Sequence, residues 1–125
     1  MPRRLRALVV DDYPALVRSV SRLLARDCDV VGSVEDFNGL LETVQRLKPD
    51  LLVLDVNLPN VDGLVACHQV TQGSPGTKVI VYTAADDPDL ERRAFEAGAS
   101  AFVHKLHHGG LLSAVRRLSA EAQEK

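Results

Sequence analysis

Two short apolar runs in this chain end in acid. Leu5 to Val10 leads into Asp11-Asp12, and Leu51-Leu52-Val53-Leu54 leads into Asp55. Apolar runs of this length, bounded by polar residues, have the pattern of strands buried on both faces of a parallel sheet. In an open α/β sheet the ligand sits outside the carboxyl ends of the strands, where the strand order switches. Two such strands side by side bring Asp11, Asp12 and Asp55 to one edge. Carboxylates that close repel and raise one another's pKa. A hard divalent cation with oxygen ligands, such as Mg2+, is the usual remedy.

The rest of the chain must supply the frame that holds those strands, and its pattern alternates. Leu5–Val10 reads as the first strand. Pro14 to Ala25 reads as the first helix, with Pro14 in the first turn, where its missing N–H is harmless. Leu16, Val17, Val20, Leu23 and Leu24 recur there at helical spacing. Asp29–Val34 is a short second strand. Phe37, Leu40, Leu41, Val44 and Leu47 mark a second helix, stopped by Pro49, and Leu51–Asp55 is the third strand. Asn57 to Gly63 is loop chemistry, with Asp62 placed to cap a short third helix from Leu64 to about Val70. Lys78–Thr83 is the fourth strand. Asp86-Asp87-Pro88 opens a fourth helix, its carboxylates suited to a positive helix N-terminus, and Gly98 is placed to end it. Ala101–Val103 is a short fifth strand, followed at once by His104-Lys105. Leu111 to Ala120 is a fifth helix, and the polar tail beyond it, within 119–125, reads as a frayed end or the start of a linker.

Five strand–helix units in a chain of this length imply a parallel sheet covered on both faces by right-handed crossovers. The expected architecture is α/β, a flavodoxin-like (βα)5 doubly wound sheet with strand order 2-1-3-4-5. That order places Asp11, Asp12, Asp55, Thr83 and Lys105 at neighbouring carboxyl ends. A phosphoryl group arriving there would find what it needs. Asp55 can attack as a carboxylate and form an aspartyl phosphate. Asp11 and Asp12 can hold Mg2+, which screens the incoming anion, while Lys105 offers positive charge and the Thr83 hydroxyl a hydrogen-bond donor.

These residues lie in four longer stretches: Leu8 to Asp12, Leu54 to Gly63, Val81-Tyr82-Thr83-Ala84, and Gly98 to Lys105. Together, in this order and spacing, the chain resembles the receiver domain of two-component response regulators, the CheY-like family, over essentially its whole length. The resemblance implies that Asp55 is the phosphate acceptor. It implies that Asp12, Asp55 and the backbone carbonyl of Asn57 ligate Mg2+ directly, and that Asp11 acts on the metal largely through water. Thr83 and Lys105 would bind phosphoryl oxygens, and Phe102 would be the aromatic that turns inward in the active state. The implied phosphodonor is a sensor histidine kinase or a phosphotransfer protein. The implied output surface is the face built from the fourth helix, fifth strand and fifth helix, which would engage an output domain, a target protein or, after phosphorylation, a second copy. Asp11-Asp12-Tyr13-Pro14 and Leu64-Val65-Ala66-Cys67 resemble receivers that precede a helix-turn-helix output domain, and so point to transcription regulation.

Two departures from the family pattern carry consequences. Leu106 follows Lys105 where proline, with a cis peptide, is usual. A cis bond before a non-proline residue costs about 2.5–4 kcal/mol, so a trans bond and a shifted loop from Leu106 to Gly110 are expected. Phe102 stands where many members carry tyrosine, so packing alone must hold its inward rotamer. Two other readings follow from the same residues: a receiver-like scaffold that is never phosphorylated, and an aspartyl-nucleophile phosphohydrolase. The latter wants a second aspartate two residues after the first; here that residue is Asn57, which cannot serve as a general acid.

Composition sets the outer limits. The 125 residues fit one domain, 1–125, and 46% of them are apolar, enough to bury a core. A net charge of -2 gives no electrostatic footprint for nucleic acid. Cys28 and Cys67 form neither a ligand spacing nor a disulfide framework and read as buried free thiols. The basic start, Met1 to Arg6, is followed by too short an apolar stretch for a signal peptide or a membrane span, and the cytoplasm is the expected compartment. His104, His107 and His108 read as surface loop histidines, Arg92-Arg93 and Arg116-Arg117 as solvated helix faces, and Tyr13 as cover for the pocket rim.

Overall fold

The computed structural model describes residues 4–56, 62–105 and 108–123, with residues 108 and 123 described by their backbone alone. Strands β1 (Leu5–Val10), β2 (Cys28–Val34), β3 (Leu51–Leu54), β4 (Lys78–Thr83) and β5 (Ala101–His104) alternate with helices α1 (Pro14–Leu24), α2 (Leu40–Leu47), α3 (Gly63–Gly73), α4 (Leu90–Glu96) and α5 (His108–Gln123). All strands pair in parallel, in the order β2-β1-β3-β4-β5. This is the flavodoxin-like arrangement that the alternating pattern predicts.

The sheet separates two cores by the parity of its side chains. On one face Leu8, Val10, Leu52, Leu54, Val79 and Val81 pack beneath α2, α3 and α4. On the other, Ala7, Val9, Leu51, Val53, Ile80 and Val103 pack beneath α1 and α5. Cys67 lies in the first core and Cys28 in the second, both as buried free thiols. Burial, helped for Cys28 by the nearby Asp27 charge, raises each thiol from 9.0 to about 11.

Element boundaries differ from the expectations where turn chemistry intervenes. α2 begins at Leu40 rather than near Phe37, because Gly39 adopts φ 69° just before it. α4 begins at Leu90, past the Asp86-Asp87-Pro88 opening; Asp87 Oδ1 instead closes a local turn on the backbone N–H of Asp89, at 2.9 Å. Asp62 does cap α3, accepting from Leu64 N at 2.9 Å. The next residue must be glycine: a Cβ on Gly63 would stand 2.4 Å from Val56 Cα, so α3 packs directly on the chain leaving β3. β5 runs one residue further than expected, to His104, so this histidine is a half-buried strand residue and not a loop histidine. α5 starts at His108, which corrects the expectation of a loop continuing to Gly110, and it runs to Gln123.

The arginine pairs lie on exposed helix faces, as expected, and make local contacts there. Arg92 bonds Asp89 and Glu96, Arg93 lies 3.8 Å from Asp87, Arg116 reaches Asp27, and Arg117 donates to Ser100 O. Among the described residues, no helix is long and apolar enough to cross a membrane.

Candidate functional site

The same parity that sorts the core sorts the site. Continuing β1 and β3 by one residue on the α1/α5 face gives Asp11 and Asp55, and Asp55 N donates to Val10 O at 3.0 Å, extending the parallel ladder to the rim. Continuing β5 past Val103 on the same face gives Lys105. Its backbone N–H bonds Thr83 O at 2.9 Å, which fixes where the side chain leaves the sheet. Three residues distant in sequence therefore meet. Lys105 Nζ donates to Asp11 Oδ2 and to Asp55 Oδ2, each at 2.8 Å.

All three are withdrawn from water, with side-chain exposures of 15% for Lys105, 5% for Asp11 and 9% for Asp55. Burial pulls the ammonium towards its neutral form. The hydrogen bonds and charges of Asp11 and Asp55 outweigh that pull, and the Lys105 pKa stands above the ordinary lysine value. The other oxygen of Asp11 accepts from Tyr13 N at 3.0 Å, a turn that feeds Pro14 into the first position of α1. Tyr13 itself is mostly exposed, at 63%.

Thr83 and Phe102 lie on the opposite parity, towards α4. Thr83 is fully buried at the end of β4, and its Oγ1 accepts from Ala85 N at 3.1 Å. Phe102 is half-buried and packs against the core beneath α4. Phe95, Phe102, His104 and Arg117 line an open groove of about 440 Å³ between α4 and α5.

Asp12 is exposed at the rim, and the structure does not draw it into the Asp11–Lys105–Asp55 cluster. Among the described residues no three acidic, histidine or cysteine side chains stand ready as a metal cage. The donor chemistry nevertheless suits Mg2+. Asp11, Asp12 and Asp55 are all hard oxygen ligands, and among the described residues Asp11 and Asp55 are buried against the Lys105 ammonium, leaving negative charge for a cation to meet. Asn57 and the Lys105–Leu106 peptide bond, along with His107, lie outside the described residues.

Tyr82 belongs to this site, and motif reading passes over it. Lys105 Nζ stands 5.9 Å from the centroid of its ring. Burial raises the Tyr82 pKa, against a lowering by the nearby ammonium. Strand alternation was the available signal: Tyr82 precedes Thr83, so it faces the side of the sheet that carries the acids.

Comparison with known proteins places the chain in a family and supports its fold. Residues 7–116 match the family model described as the response regulator receiver domain. The response regulator GacA of Pseudomonas aeruginosa is 31% identical over 81% of this chain and 48% of its own length. The transcriptional regulatory protein DegU of Brevibacillus brevis is 29% identical over 90% of this chain and 49% of its own. The chain thus spans about half the length of these curated relatives. The crystal structure of a LuxR-family two-component response regulator from Aurantimonas sp. SI85-9A1 superposes with a TM-score of 0.87 at 27% identity, covering 95% of this chain and 87% of that one.

Proposed function

Because this chain belongs to the response regulator receiver domain family, we propose that Asp55 is its phosphoryl acceptor and that Asp11, Asp12, Thr83 and Lys105 serve the transfer. The supporting observation is the buried ammonium of Lys105 bonded to both Asp55 and Asp11 at the carboxyl rim of the sheet.

Asp11, Asp12, Asp55 and the Asn57 carbonyl would hold Mg2+, whose chemistry there is to neutralise charge on the incoming group. The remaining work falls to side chains. A carboxylate oxygen of Asp55 attacks phosphorus, and the bond from phosphorus to the donor breaks with its electron pair leaving on the donor. Lys105 exchanges a carboxylate oxygen for a phosphoryl oxygen, keeping its charge within the site. The Thr83 hydroxyl turns from Ala85 N to donate to a second phosphoryl oxygen, which vacates space on the α4 side of the sheet. Phe102 moves inward to fill it, and the groove between α4 and α5 changes shape. Transfer of this kind shifts an equilibrium between two packings.

The phosphodonor in this account is a histidine kinase or phosphotransfer protein, and the reader of the α4–β5–α5 face is an output domain, a target protein or a second copy. The chain's own chemistry is confined to gaining and losing a phosphoryl group on Asp55. Titration with beryllofluoride and Mg2+, followed by amide NMR, tests it. Shifts should centre on Asp55, Thr83 and Phe102 and vanish in Asp55→Ala; shifts that persist in that variant would overturn the assignment.

A further inference from the structure

Lys105 has to cross a strand to reach its partners. Val10 pairs with Leu54, Leu54 with Val81, and Tyr82 with Val103. One row of the sheet, on the α1/α5 face, therefore runs from Asp11 through Asp55 and Tyr82 to Val103. Lys105 leaves the chain beyond Val103, at the β5 end of this row. Asp55 lies two strands away, a span of about 10 Å. The residue between them is Tyr82.

The lysine lies over that residue. Its Nζ is 5.9 Å from the ring centroid, within the range where a cation is drawn to the negative face of an aromatic ring. The ring is 1% exposed and locked in the core with Val9, Val53, Val103 and Leu111, so it is a fixed platform. The residue after the lysine is Leu106, where the family usually has proline. The bond from Lys105 N to Thr83 O sets where the side chain leaves the sheet, and what that side chain touches sets where the ammonium ends.

We propose that Tyr82 is the positioning residue of Lys105, carrying its side chain across β4 and holding the ammonium at the acceptor carboxylate. This rests on the assignment of Asp55 as acceptor. A core aliphatic residue would fill the same volume and offer the cation nothing. The ring's attraction does not depend on which oxygen the ammonium bonds, so it persists as Lys105 moves from carboxylate to phosphoryl oxygen.

The test compares Tyr82→Leu with Tyr82→Phe, using acetyl phosphate and Mg2+ and following phosphorylation of Asp55. Tyr82→Leu should slow the reaction by about fivefold, and Tyr82→Phe, which keeps the ring, should restore most of the rate. In a Lys105→Met background, Tyr82→Leu should cause no further loss. NMR without metal or donor gives a second reading: the Lys105 Hε protons should show an upfield ring-current shift in the parent and in Tyr82→Phe, lost in Tyr82→Leu. Where Tyr82→Leu fails to fold, Tyr82→Phe with graded ring fluorination keeps the shape and drains the π charge, and the rate should fall with each fluorine. Equal rates in Tyr82→Leu and the parent, an undiminished loss in the Lys105→Met background, or a rate indifferent to fluorination would each overturn the proposal. A parent that takes no phosphoryl group would instead defeat the Asp55 assignment, and the ring-current comparison would still decide whether Tyr82 holds the lysine.

Discussion

Lys105 Nζ lies 2.8 Å from Asp55 Oδ2, and in the same pose it bonds Asp11 Oδ2 at 2.8 Å. One ammonium thus compensates two buried carboxylates, and the charge balance of the site depends on it. Removing one member of such a group leaves buried charge uncompensated.

Lys105→Met should therefore cost about 2 kcal/mol of folding stability in metal-free buffer, less than the roughly 3–5 kcal/mol of a fully buried pair because the lysine keeps some contact with water. Mg2+ should recover more stability in this variant than in the parent, since the cation and the lysine answer the same excess charge. Urea melts with and without Mg2+ check both statements. A variant as stable as the parent without metal would show that the ion pair contributes little.

Asp12 should behave in the opposite way. It is exposed and outside the cluster, so Asp12→Ala should change stability by less than about 0.5 kcal/mol. Its effect should instead be a weaker response to Mg2+, read from metal-induced shifts of the amide signals around Asp55.

The step between site and surface should be separable from phosphorylation. Thr83→Ala leaves Asp55 in place but removes the hydroxyl that accepts from Ala85 N, at a cost of about 1 kcal/mol. Phosphorylation should still occur on Asp55, while the accompanying shifts at Phe95 and Phe102 should shrink. Unchanged shifts in the groove would mean that Thr83 does not couple the two.

Ala85 is small and lies two residues past Thr83, whose hydroxyl its N–H meets. A bulky replacement, Ala85→Leu, should slow spontaneous loss of phosphate by obstructing the attacking water. Decay of the phosphorylated form, followed by mass spectrometry after the donor is removed, checks this; an unchanged lifetime would count against it.

The two thiols give a pH dependence with a definite sign. Folding raises Cys28 and Cys67 from 9.0 to about 11, so the folded state keeps them protonated where the unfolded chain ionises. Their contribution to stability is complete below pH 9.0 and is lost as pH rises towards about 11. The melting temperature should fall across that window, and less steeply when both are replaced by alanine.

The sequence carried most of the frame because its signals were physical and local. The runs at Leu5–Val10 and Lys78–Thr83 are bounded by charge or turn residues, and both strands appear with those ends. Asp11, Asp55, Thr83 and Lys105 were legible as strand ends. What could not be read there was the parity of their meeting. Asp11 and Asp12 are adjacent, so alternation sends them to different faces, and only Asp11 joins Lys105. Tyr82 was hidden for the complementary reason: a buried aromatic in a strand looks like core until the lysine that crosses it is placed. The start of α4 departs from the sequence pattern because Asp87 closes a local turn instead of capping a helix.

Intact-mass spectrometry of the protein with acetyl phosphate and Mg2+, with the adduct mapped to its residue, decides whether Asp55 accepts the phosphoryl group. One phosphoryl adduct should form, on Asp55, absent in Asp55→Asn and suppressed by a metal chelator. An adduct that survives Asp55→Asn, or a parent protein that acquires none, would contradict that assignment.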